Sequence, residues 1–110
     1  MAVGGVTVGR RVESFDDLEL PGDYAVSEVE IDGQAYRQVW FLLPIHEGET
    51  KFDRPTRGSG VHGVREPIWD LRECDDGSLE VRESILCGAR HPEGAYWHGY
   101  LDEGHRWREV

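Results

Sequence analysis

The sequence predicts an all-β domain with a minor helical turn: a small antiparallel sheet built from three hairpins with long loops. Three turn signals between alternating segments carry that expectation. Asp32-Gly33, Asp75-Asp76-Gly77 and Asp102-Glu103-Gly104 each separate two stretches rich in β-branched and aromatic residues. No comparable stretch shows a sustained helical period.

Taken in order, residues 1–12 read as a loose, Gly-rich N-terminal arm and residues 13–110 as a single β domain. Ser14 is placed to cap one short helical turn, with Asp16 and Asp17 complementing its positive end and Pro21-Gly22 stopping the chain beyond it. The first hairpin pairs residues 24–31 with 34–43 around a two-residue turn. That register sets Glu28 opposite Arg37, Val26 opposite Val39 and Ala25 opposite Trp40. Val39-Trp40-Phe41-Leu42-Leu43 is apolar on both faces and predicts a central strand buried on two sides.

Residues 47–66 form a polar stretch rich in Gly, Arg and Pro, read as a long loop. In the second hairpin a two-residue turn would oppose Glu73 to Glu80. A three-residue loop with Gly77 in the left-handed region instead pairs Arg72 with Glu80, Asp70 with Arg82 and Leu71 with Val81, and is preferred for that reason. In the third hairpin, alternation sends Trp97 and Leu101 to one face and Tyr96, His98 and Tyr100 to the other.

A chain of 110 residues with eleven aromatics can bury a core without a metal or disulfide. Twelve basic residues against twenty-two acidic ones give a net charge of -10, which disfavours nucleic acid and anionic membranes as partners. The charge reads first as solubility and second as a complement to a basic protein partner, including the sharper case of a DNA mimic. The longest apolar run, residues 39–45, is far short of the ~20 residues that span a bilayer. Two cysteines without a secretion signal suggest free thiols in a reducing cytoplasm. Cys74 and Cys87 sit at opposite ends of one strand, roughly 25–30 Å apart, too far for a disulfide.

Candidate chemistry concentrates in residues 84–107. Cys87, His91 and His98, with His46 from the first hairpin, are the residues available to a zinc ion, although their spacing matches no recognised finger and the expectation is that no metal or other cofactor is bound. Ser84, His98 and Asp102 make a triad on paper without a nucleophile elbow, and Gly58-Ser59-Gly60 lacks the flanking strand and helix of a phosphate loop. No catalytic residue is therefore assigned. Tyr96, His98 and Tyr100 form the candidate interaction face, suited to stacking or to a protein interface.

Trp69, Gly77, the strand Leu79-Glu80-Val81-Arg82-Glu83-Ser84-Ile85 and the segment Trp97-His98-Gly99-Tyr100-Leu101 before Gly104 together resemble the domain of unknown function 6527 family, small bacterial and phage proteins often mislabelled as ammonia monooxygenase. Val39-Trp40-Phe41 suits the strand that precedes that family's cysteine cluster. The chain departs from the pattern at Leu43-Pro44-Ile45, where the family carries cysteines, and at Ala95, three residues before His98. The resemblance thus implies the fold, implies loss of the thiolate ligands and implies no activity. With the Arg-rich, Lys-poor composition (eleven arginines, one lysine), it points to a phage or prophage of an actinobacterium. The functional expectation is a non-enzymatic accessory or protein-interaction protein. The alternatives are a virion decoration protein and a zinc-binding module or zinc-enzyme remnant.

Overall fold

The computed structural model describes residues 6–45, 57–63, 69–87 and 97–110. The fold is all-β, with one 3₁₀ turn at Phe15–Asp17. The strands are β1 (Val6–Val8), β2 (Arg10–Arg11), β3 (Asp23–Ile31), β4 (Gln34–Leu42), β5 (Arg57–Val61), β6 (Leu71–Glu73), β7 (Leu79–Cys87), β8 (Trp97–Asp102) and β9 (Arg106–Glu109). The three hairpins are divided between two sheets. One sheet has the order β1-β9-β8-β7-β6 and the other β2-β3-β4-β5. Strand pairing is antiparallel except between β2 and β3.

The hairpin registers follow the turn chemistry. Glu28 faces Arg37, Val26 faces Val39 and Ala25 faces Trp40 across β3 and β4. Between β6 and β7, Leu71 faces Val81 and Arg72 faces Glu80. The loop between them closes with the Gly77 N–H donating to the Cys74 carbonyl and the Cys74 N–H donating to Ser78, while Gly77 has φ +86°, so the three-residue loop holds. The Arg82 N–H donates to the Asp70 carbonyl, completing the expected register.

One core lies between the sheets. Tyr24, Val39, Phe41 and Leu43 meet Trp69, Leu71, Leu79, Val81, Ile85, Trp97, Leu101 and Trp107. Trp107 is fully buried at its centre, edge-on to Trp97 with centroids 5.6 Å apart and tilted against Phe41 at 5.4 Å, and its indole N–H donates to the Gly22 carbonyl. Truncating such a side chain costs about 3–5 kcal/mol. The outer face of β4 is covered as well. Leu42 and Trp40 pack with Ala25, Leu18 and Val12, and Phe15 of the 3₁₀ turn meets Trp40 edge-on at 5.0 Å. The strand expected to be buried on both faces is so.

Two segments differ from expectation. Within the expected arm, Val6–Val8 pairs with β9 and Arg10–Arg11 pairs with β3, so the described part of the N-terminus joins both sheets. Ser14 makes no side-chain cap to the backbone; its hydroxyl instead donates to the Asp17 carboxylate. Within the expected loop at residues 47–66, Arg57–Val61 is a strand lying beside β4. Its composition hides it, because a strand with glycine at positions 58 and 60 has little β-propensity of its own. Gly60 is required by packing: any Cβ there would overlap the six-membered ring of the Trp69 indole. His62 continues from β5 into a parallel bridge with Trp69, which carries the chain from one sheet to the other.

Candidate functional site

Two places on this scaffold gather polar chemistry. The first is the outer face of the five-stranded sheet. Alternation on β8 buries Trp97, Gly99 and Leu101, leaving His98 exposed and Tyr100 half-buried on the opposite face. The Arg108 guanidinium lies 4.3 Å from the Tyr100 ring centroid and is held there by Asp102, at 2.9 Å from Nε. Leu86, paired with His98, is 48% exposed.

Beside Tyr100 the ladder breaks. Val81 faces Leu101 and Ile85 faces Gly99, so Arg82, Glu83 and Ser84 together oppose Tyr100. This bulge opens a depression of about 400 Å³ lined by Glu80, Arg82, Ser84, Tyr100, Asp102 and Arg108. Bulges of this kind re-aim side chains and recur next to functional sites.

The second place lies where the turns after β6 and β8 meet β3. The Tyr24 hydroxyl is fully buried, accepts the Leu79 N–H at 3.0 Å and lies 2.6 Å from His105 Nδ1. Burial pushes the phenol up to about 12, so it keeps its proton and donates it to the imidazole. With the phenol as donor, His105 Nδ1 is the acceptor of this hydrogen bond. His105 sits at φ +61°, a left-handed conformation unusual for a residue with a Cβ.

Ser78, also fully buried, donates its hydroxyl to Asp76 and accepts the Gly104 N–H at 2.9 Å, which ties the two turns together. Those hydrogen bonds from the Ser78 hydroxyl and N–H hold the Asp76 carboxyl below its ordinary range. Donor atoms of Cys74, Asp76 and Glu103 lie within 4.8 Å of one another, offering a thiol and two carboxylates to a cation. The Cys74 thiol is free.

Nearby, Arg11 is drawn into a bidentate pair with Glu73 at 2.6 and 3.1 Å, which raises the guanidinium and lowers the carboxyl. At the start of β3 the side chain of Asp23 is fully buried. Burial raises its carboxyl, but the Arg10 guanidinium and the Leu20 and Glu19 N–H groups outweigh that and hold it below its ordinary value.

Of the residues singled out from sequence, His98 and Tyr100 share the outer face. His46, His91 and Tyr96 lie outside the described residues, as does the Cys87 side chain. Ser84, His98 and Asp102 are not joined by any hydrogen bond among the described residues; Asp102 is paired with Arg108 instead. Sequence reasoning missed the Tyr24, Asp76, Ser78 and His105 network. Its members come from segments about fifty and eighty residues apart, and the only local signal was an acidic residue at each of two turns. Among the described residues, no helix is long and apolar enough to cross a membrane. Comparison with family models, curated proteins and solved structures finds no match to this chain.

Proposed function

We propose that the chain is a non-enzymatic protein-interaction module working in a cytoplasm. The outer face of the five-stranded sheet carries this reading. There, an exposed histidine, a tyrosine stacked under an arginine and a half-exposed leucine stand on a rigid sheet beside a bulge depression. Tyr and Arg are the residues that concentrate binding energy at protein interfaces, and a sheet face holds them at little entropic cost. Of the triad drawn on paper from Ser84, His98 and Asp102, the carboxylate is engaged structurally, because Asp102 holds Arg108. The free Cys74 thiol suits a reducing compartment.

Photo-cross-linking tests the proposal. A benzophenone amino acid placed at Tyr100, in extract of the producing cell, is expected to yield a discrete adduct with one protein. The same group at Phe15, on the far side of the molecule, should not. Equal labelling from both positions, or no discrete adduct from Tyr100, refutes it.

A further inference from the structure

We propose that β3 offers an open sheet edge, flanked by an acidic groove, to an extended basic segment of the partner protein. This rests on the interaction reading above and names the partner's chemistry at a second surface. β2 covers β3 only at Asp23 and Tyr24. Among the described residues no strand lies on that side of β3 beyond Tyr24.

The direction of the free backbone groups follows from the ladder. The Tyr24 carbonyl accepts the Val12 N–H across the open side. Every second residue repeats that orientation, and the pair Ile31 and Gln34 closing the Asp32-Gly33 turn points its groups the other way, into β4. Val26, Glu28 and Glu30 therefore turn their N–H and C=O groups outward, a template for one more strand.

Charge selects the occupant. At the point where β2 ends, a groove of about 430 Å³ is lined by Val12, Glu13, Val26, Asp76 and His105, with Arg11 at its side. The valines offer an apolar floor for an aliphatic stem, and Glu13 and Asp76 offer acceptors for a cationic head. Glu28 and Glu30 continue along the same face as Val26 at a spacing of about 6.6 Å. Both neighbouring arginines, Arg11 on the groove wall and Arg37 across from Glu28, are engaged by other groups. Arg11 is held by Glu73, and Arg37 donates to the Leu71 carbonyl with Glu73 at 3.8 Å. A strand with Lys or Arg at alternate positions matches this lane in period and sign. A second copy of the chain, at net charge -10, is repelled from it.

The probe is a fluorescent eight-residue peptide of alternating lysine and valine, titrated with the full chain and followed by anisotropy and amide exchange. The lane predicts binding that weakens with salt and protects the Val26, Glu28 and Glu30 amides. The double substitution Glu13→Gln and Glu28→Gln should weaken binding by about threefold to tenfold. Glu28→Pro should weaken it beyond Glu28→Gln, because it removes an outward N–H as well as the charge; if Glu28→Pro does not fold, the glutamine variants decide. The proposal falls if the peptide does not bind, if prolines in place of the valines leave affinity unchanged, or if a glutamate-for-lysine peptide binds equally. Cross-linking from Tyr100 with no peptide binding here retains the interaction reading and removes only this lane. Peptide binding without a Tyr100 adduct does the reverse.

Discussion

Tyr24 shows how much one side chain can hold. Its ring packs in the core at 6.4 Å from Trp107, and its hydroxyl serves the Leu79 N–H and His105 at once. Tyr24→Phe keeps the ring and leaves a buried N–H without its acceptor, a loss of about 1–3 kcal/mol in urea unfolding. The same hydroxyl gives a pH signature. Its pKa is raised on folding from 10.0 to about 12, so the native state keeps a proton the unfolded chain has released. Stability from this group is full below the lower value and declines as pH climbs toward the upper one. A stability-versus-pH comparison should show that decline in the wild type and its absence in Tyr24→Phe; parallel curves would contradict the assignment. Nothing in the local sequence marks this tyrosine, since its partners arrive from two distant turns.

At the scale of elements, the sequence was most legible where a turn and its flanking strands had one consistent solution. Asp32-Gly33 set the register of the first hairpin, and the clash of Glu73 with Glu80 excluded the shorter second turn. It was least legible where a strand exists because of its neighbour. β5 reads as loop because Gly60 has no side chain, and Gly60 has none because Trp69 occupies the space above it. Gly60→Ala should therefore destabilise by about 1–3 kcal/mol although alanine favours no other conformation here. Thermal melts would detect this, with Trp69 fluorescence shifting as the indole is displaced. Unchanged stability would show that the ring yields without cost. The outer-face residues of the candidate site, His98 and Tyr100, were legible because strand alternation alone separates them from Trp97 and Leu101. The turn network was not, because alternation carries no information about what meets at strand ends.

For the whole molecule, the question left open by the sequence was how three hairpins are shared between layers, since each shows the same alternation whichever sheet it joins. The N-terminal segment answers part of it. Val6–Val8 lies on β9 and Arg10–Arg11 on β3, with the Gly9 N–H donating to the His105 carbonyl between them. One short stretch thus fastens an edge of each sheet. Deleting residues 1–8 should cost about 2 kcal/mol or more and speed amide exchange throughout β9, while β3 and β4 retain their protection near the start of unfolding. A variant with wild-type exchange in β9 would mean that β1 contributes no more than a loose cover.

The pairing of β1 with β9 also has a consequence in time. A ribosome releases Val6–Val8 about a hundred residues before Arg106–Glu109, so β1 waits unpaired while the strands between them are made. The β3–β4 hairpin can form early from local contacts, but the five-stranded sheet closes only when the last strand emerges. What waits during synthesis is the backbone edge of Val6–Val8, since the Val6 and Val8 side chains stay exposed even after β1 has paired with β9.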